Sequence, residues 1–143
     1  MDFSKKVWLL PQTKTDQPML IPLTDLAAQA FEGLRALAHG SAWVLPAKKT
    51  ASHLKPAALG ASLQYARGRF RDAGVAPFTL HDLRRTCRTG LGRLGVARDI
   101  AELVINHRPR GIVATYDIHA YLDEKRAALE RWSAHLMSLA TKI

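Results

Sequence analysis

The chain has almost no cysteine and no long run of apolar residues. Cys87 is the one cysteine among 143 residues, which excludes an internal disulfide and suits a reducing compartment. No apolar stretch approaches the roughly 18 residues that a membrane-spanning helix requires. The N-terminal "MDFSKKVWLLPQ" is interrupted by Pro11 and Gln12 before it reaches the length of a signal peptide. We therefore expect a cytoplasmic protein that does not insert into a membrane.

Patterns that bind metals or nucleotides are also missing. The six histidines and Cys87 form no HxxxH pair and no Cys/His cluster with the spacing of metal ligands. There is no glycine-rich loop of the kind that surrounds a nucleotide phosphate, and no serine stands in a nucleophile-elbow context. We expect no metal, no cofactor and no nucleotide.

Acidic residues are few compared with basic ones. Twelve Asp and Glu stand against 21 Lys and Arg, which gives a net charge of +9 and a pI near 10.2. Such a surplus favours a polyanionic partner. The basic residues are spread over several segments instead of one amphipathic helix, so nucleic acid is a better candidate than a membrane surface. With 48% hydrophobic residues, residues 1–143 are expected to form one globular domain.

The residue pattern predicts a mainly α-helical fold with a small N-terminal β-hairpin. "KKVWLLPQ" and "MLIPL" are typical of strands, and "TKTDQP" between them places Lys14 near the tip of the turn. Thr24 is expected to cap a helix that ends at Gly40, and 47–58 to form a basic loop. Further helices are predicted at 59–73, 80–94, 98–105 and 122–140. The apolar face of the last is predicted to bury Leu129, Trp132, Leu136 and Leu139.

The helix that follows Thr79 carries a basic cluster within "HDLRRT". Thr79 is its predicted N-cap, with Asp82 at the third helical position. At about 100° per residue, His81, Arg84 and Arg88 fall within one sector of this helix. The first turn of a helix favours an anion, so His81 and Arg84 are candidates for a phosphate site. The alternative is a solvated basic helix face.

"NHRPRGIVATYD", at 106–117, places Tyr116 nine residues after His107. A tyrosine near a loop is usually a packing residue with an exposed hydroxyl, and Tyr65 and Tyr121 compete with Tyr116 on composition. His107 is equally compatible with a structural role at a helix C-terminus. The residues alone leave these alternatives open.

In their order along the chain, "TKT…IPL", "HDLRRT", "INH" and Tyr116 resemble the catalytic domain of tyrosine recombinases, in particular phage and genomic-island integrases. The resemblance covers almost the whole chain, from "DFSKKVWLLPQTKTDQPMLIPLTDLA" to "YLDEKRAALERWSAHL". It implies the tyrosine recombinase catalytic-domain fold, which agrees with the helices and the hairpin predicted above.

The resemblance also implies a mechanism. Tyr116 would attack a DNA phosphate and form a 3′-phosphotyrosyl link. His81, Arg84 and His107 would hold the non-bridging oxygens, and Lys14 would protonate the leaving oxygen. Because the covalent link conserves the energy of the bond, neither a metal nor ATP is implied.

The sequence departs from the family in one respect. Family members carry another catalytic arginine upstream of the hairpin, but none of the thirteen residues that precede Lys14 is an arginine. The N-terminal core-binding domain of the family has no counterpart either. We therefore expect a fragment with little activity alone, from a bacterial or prophage gene. The alternative is a non-catalytic DNA-binding remnant.

The partners implied are double-stranded DNA and other recombinase protomers. The residues beyond about Ser138 would reach a neighbouring protomer. Further basic side chains are candidates for DNA contacts outside the catalytic set: Arg67, Arg69, Arg71, Lys48, Lys49 and Arg88.

Overall fold

A computed structural model describes residues 1–11, 18–48, 52–107 and 121–141. The chain divides into two units. The larger consists of Met1–Ala28 and Thr86–Ile143, and the smaller is Gln29–Arg85.

The predicted N-terminal hairpin is confirmed. Strand β1 (Val7–Leu10) pairs in antiparallel fashion with β2 (Met19–Pro22), and the register places Val7 opposite Pro22 and Leu10 opposite Met19. Branched and aromatic side chains in β1 favour the extended backbone. Lys14, predicted near the tip of the turn, lies outside the described residues.

The described part of the chain is otherwise mainly helical, as predicted. Its helices are α1 (Asp25–Leu37), α2 (Pro56–Asp72), α3 (Leu80–Arg93), α4 (Arg98–Val104) and α5 (Leu122–Ala140). Thr24 caps α1 as predicted, since its Oγ1 accepts a hydrogen bond from the backbone N–H of Ala27 at 3.3 Å. The predicted start of α2 was three residues late. Pro56 occupies the first turn, where its fixed φ suits a helix and its missing N–H has no helical partner to lose.

The core of the larger unit lies where α3, α4 and α5 meet. Leu91, Ala101 and Ala128 are buried at its centre, and partly buried apolar side chains pack around them: Cys87, Val96, Ile100, Val104 and Trp132. Lys125 of α5 is buried and donates from Nζ to the carbonyl of Leu20 in β2 at 2.9 Å. These contacts fix α5 against both α4 and the hairpin.

The prediction of which side chains α5 buries was partly wrong. Leu136 and Leu139 are 38% and 46% exposed, whereas Ala128 is buried and Leu129 and Trp132 are half-buried. The core of this unit lies along the first half of α5. The apolar side chains of its last turns are therefore largely uncovered by the described residues.

Few of the described residues of the smaller unit are buried, and α2 contains no buried residue. The rings of Phe70 and Phe78 pack edge to face with their centroids 5.1 Å apart. Gly74, at φ +73°, ends α2 as predicted: the N–H groups of Gly74 and Val75 bond to the carbonyls of Arg71 and Phe70.

Within the described ranges, no helix is both long and apolar enough to cross a membrane. The same ranges contain no group of three His, Cys, Asp or Glu side chains arranged to hold a metal ion.

Candidate active site

The start of α3 is fixed by the pair of side chains that the sequence predicts. Thr79 Oγ1 accepts from the N–H of Asp82 at 3.3 Å, and Asp82 Oδ2 accepts from the N–H and the hydroxyl of Thr79 at 2.9 and 2.7 Å. The hydrogen bond from the Thr79 hydroxyl is the main cause that lowers the pKa of Asp82 below its ordinary value. This reciprocal cap determines which residues lie in the first turn of α3.

His81 and Arg84 lie in the first two turns of α3, within the smaller unit. His81 is exposed and Arg84 is half-buried, and their spacing of three residues places them on one side of the helix. The neighbouring Arg85 forms an ion pair with Asp82 at 3.5 Å. That His81 and Arg84 bind a phosphate stays a prediction, and the helix start supplies the backbone N–H groups and the dipole that would favour one.

Asn106 and His107 form the turn that ends α4. Asn106 adopts a left-handed backbone with φ +54°, which asparagine tolerates better than most residues. Its N–H bonds to the carbonyl of Leu103 at 3.0 Å, and the N–H of His107 bonds to the carbonyl of Glu102 at 2.8 Å. This turn reverses the chain and brings His107 back over Glu102.

Three side chains of the larger unit meet at this turn. Nδ1 of His107 lies 2.9 Å from Oε2 of Glu102, and Nε of Arg88 donates to Oε1 of the same carboxylate at 2.7 Å. The Arg88 and Glu102 side chains are 25% and 31% exposed, and that of His107 is 59% exposed. The hydrogen bond from Arg88, and secondarily that from His107, lowers the pKa of Glu102. Arg88, predicted as a DNA contact, therefore has a carboxylate partner within the chain.

Three predicted site residues lie outside the described residues: Lys14, Lys49 and Tyr116. Of the competing tyrosines, Tyr65 is 90% exposed on α2, and Tyr121 is a half-buried residue with φ +47° at the N-cap of α5. The choice of Tyr116 as nucleophile stays a prediction.

The predicted DNA-contacting arginines of α2 do not share one face. Arg67 and Arg71 are four residues apart and line a concave surface beside Phe70 and Phe78, whereas Arg69 points away from both. All three arginines are exposed, and Arg71 forms an exposed ion pair with Asp72 at 3.3 Å. Lys48 is exposed as well. Their contact with DNA stays a prediction.

Sequence reasoning missed Glu102. Residues five apart do not lie on the same side of a helix, so the spacing of Glu102 and His107 does not predict a contact between them. The signal was Asn106, because an asparagine at a helix end favours the left-handed turn that places residue 107 over residue 102. Arg88 gave no such signal, since its pairing with Glu102 spans fourteen residues.

Comparison with known proteins identified a related family. No curated protein and no solved structure matched the chain. The model of the phage integrase family matches residues 1–122. The matched range contains all five positions predicted for catalysis, from Lys14 to Tyr116. Because the match covers most of the sequence, the chain belongs to the phage integrase family.

Proposed function

We propose that residues 1–143 form the catalytic domain of a site-specific DNA recombinase that cuts and rejoins DNA through a phosphotyrosine. The observation that carries this proposal is the family match over residues 1–122. Membership makes the chain a tyrosine recombinase-type domain and implies that it binds DNA. The net charge of +9 supports a nucleic acid partner. We place the reaction in the cytoplasm of a bacterium, where chromosomal and phage DNA meet.

The proposed cleavage step is a transesterification. The hydroxyl oxygen of Tyr116 attacks the phosphorus atom, an O–P bond forms, and the bond from phosphorus to the 5′ oxygen breaks. Lys14 gives a proton to the departing 5′ oxygen, and the tyrosine proton leaves to solvent. A 5′-hydroxyl from a second DNA strand then reverses the step and rejoins the backbone, so no external energy source is needed.

Charge stabilisation is assigned to His81, Arg84 and His107. The pentacoordinate transition state carries more negative charge on its non-bridging oxygens than the ground state does. Donors fixed in advance near those oxygens lower the barrier, and the loss of one donor typically costs about 10²–10³ in rate. The reciprocal cap at the start of α3 supports this role, because it holds two of the three residues in the first two turns of a helix.

The direct test is the covalent adduct. The wild-type chain is incubated with a pool of random-sequence duplexes that carry a 5′-bridging phosphorothiolate. The thiol that leaves is a poor nucleophile toward the phosphotyrosine, so even slow cleavage accumulates as a protein–DNA adduct on a denaturing gel. Tyr116→Phe is the test variant, and Tyr121→Phe is its matched control.

We expect an adduct with the wild type and with Tyr121→Phe, and none with Tyr116→Phe. An adduct that persists in Tyr116→Phe would show that the nucleophile is assigned wrongly. DNA binding without an adduct in the wild type would instead support a non-catalytic DNA-binding remnant.

A further inference from the structure

We propose that Glu102 is a positioning residue for His107 in DNA cleavage, and that Arg88 holds Glu102 in place. The proposal rests on the function proposed above, since it gives the three residues a task in that reaction. Its basis is the contact among Arg88, Glu102 and His107 at the end of α4, all within the larger unit.

The backbone supplies the first part of the positioning. The left-handed turn at Asn106 and the hydrogen bond from the His107 N–H to the Glu102 carbonyl fix where the His107 side chain begins. The side chain then reaches the carboxylate of the same Glu102, with Nδ1 2.9 Å from Oε2. Glu102 therefore holds His107 at two points, by its backbone and by its side chain.

The carboxylate is itself held from a second direction. Oε1 accepts from Nε of Arg88 on α3 at 2.7 Å, so each oxygen of Glu102 has a different partner. Hydrogen bonds between charged groups are short and directional. The imidazole ring of His107 is thereby tied through one carboxylate to Arg88 of α3, within the larger unit.

This arrangement decides which nitrogen of His107 is left to meet a phosphate. With Nδ1 donating to Glu102, Nε2 is the nitrogen that remains to meet a phosphate oxygen. The same logic orients histidines at metal sites, where a second partner on the far nitrogen fixes the ring.

A carboxylate near a DNA phosphate needs compensation, because like charges repel. Arg88 supplies it, because together with Glu102 it forms a pair of zero net charge. The carboxylate thus orients the ring without leaving a net negative charge beside the DNA. This accounts for an acidic side chain in a site that is otherwise basic.

The test measures the rate of adduct formation with the phosphorothiolate duplex pool. The variants are Glu102→Ala, Glu102→Gln, His107→Ala and the double variant with both alanines. Glu32→Gln, an exposed glutamate on α1, is the control. We expect Glu102→Ala to slow the reaction about 10- to 100-fold, the range seen when such outer partners are removed at metal-bound histidines. Glu102→Gln should fall between Glu102→Ala and wild type, because its amide oxygen still accepts from Nδ1.

The double variant separates positioning from a merely structural role. If Glu102 acts through His107, Glu102→Ala has no further effect once His107 is alanine. An equal slowing in both backgrounds would overturn the proposal, as would a rate of Glu102→Ala equal to wild type. If Glu102→Ala does not fold, Glu102→Gln takes its place in the same cycle.

Nuclear magnetic resonance of the His107 ring gives a readout that is independent of activity. The proton on Nδ1 should give a downfield resonance in the wild type that is absent in Glu102→Ala, with His107→Ala used for assignment. An unchanged ring spectrum in Glu102→Ala would overturn the proposal even if the rate fell.

If the wild-type chain forms no adduct, the proposed function fails and this inference with it. An adduct that forms equally fast without Glu102 overturns only this inference.

Discussion

Lys14 and Tyr116 have opposite tasks in the proposed reaction, since one gives a proton and the other loses one. A lysine that protonates the leaving 5′ oxygen is needed only when that oxygen is a poor leaving group. Sulfur in its place leaves as a thiolate without a proton. Lys14→Ala should therefore cleave ordinary DNA much more slowly than wild type, and a 5′-bridging phosphorothiolate should restore most of the rate.

The measurement compares adduct rates on the two substrates. Arg84→Ala serves as the control, because a residue that stabilises the non-bridging oxygens is needed with either leaving group. If the sulfur substrate restored Arg84→Ala as well, or failed to restore Lys14→Ala, the proton-donor role of Lys14 would be wrong.

The pair of Glu102 with Arg88 has a consequence for stability against acid. The hydrogen bond from Arg88, and then that from His107, lowers the folded-state pKa of Glu102. A carboxylate with a lowered folded pKa stabilises the fold fully above its unfolded value of about 4.3 and loses that contribution as pH falls through the folded pKa. The unfolding free energy of the wild type should thus exceed that of Glu102→Gln by a constant amount near neutral pH.

Below about pH 4.3 that difference should shrink. Urea unfolding of both chains between pH 7 and pH 3 measures it. A difference that stays constant down to pH 3 would mean that the ionised form of Glu102 is not what stabilises this contact.

At the residue scale, contacts between residues close together in the sequence could be predicted, and contacts between helices could not. The cap formed by Thr79 and Asp82 follows from four consecutive residues, and the structure confirms it. The pairing of Arg88 with Glu102 joins two helices, and no spacing in the sequence specifies a contact between helices. Lys14 and Tyr116 rest on the resemblance and the family match, not on described geometry.

At the element scale, α3 and α5 approach so closely at Gly90 that the six-membered ring of Trp132 lies where a Cβ atom would be. Gly90→Ala should therefore lower the free energy of unfolding by about 1–3 kcal/mol, as overpacking of a core does. Gly92, also in α3, is the matched control, because a Cβ there meets only Nη1 of Arg88 at 3.6 Å.

Gly92→Ala should leave stability unchanged or raise it by about 0.5–1 kcal/mol through helix propensity. Because both substitutions gain the same propensity, the difference between the two variants in urea unfolding isolates the clash with Trp132. Equal stability of the two variants would contradict the close packing of α3 and α5.

The elements themselves were largely predictable, and their packing was less so. The hairpin and the helix ends at Gly74 and Thr24 carry turn and cap residues that act locally. The sequence pattern places the start of α2 too late because proline is common in loops, although it also suits the first turn of a helix, where Pro56 lies. The exposed Leu136 and Leu139 were missed because periodicity shows which face is apolar, but not how far the neighbouring elements extend.

At the scale of the whole molecule, the net charge of +9 should dominate binding to DNA. The logarithm of the binding constant falls with the logarithm of salt concentration, with a slope of about −0.9 for each phosphate neutralised. If Arg67 and Arg71 each contact a phosphate, Arg67→Gln/Arg71→Gln should reduce that slope by about 1.8, and Arg69→Gln alone by about 0.9.

Fluorescence anisotropy with a random-sequence duplex at rising salt gives these slopes. Arg35→Gln, at an exposed site on α1 outside the predicted contacts, should change the slope little. A slope unaltered by all three α2 substitutions would mean that these arginines are merely solvated.

The proposed reaction joins Tyr116 covalently to DNA, and mass spectrometry of the trapped adduct can locate that bond. The trapped adduct is digested with nuclease and trypsin, which leaves the nucleotide on the peptide 111–125. This peptide contains both Tyr116 and Tyr121. Tandem mass spectrometry should find the added nucleotide mass on Tyr116. A nucleotide on Tyr121, or on no residue of the chain, would show that Tyr116 is not the nucleophile.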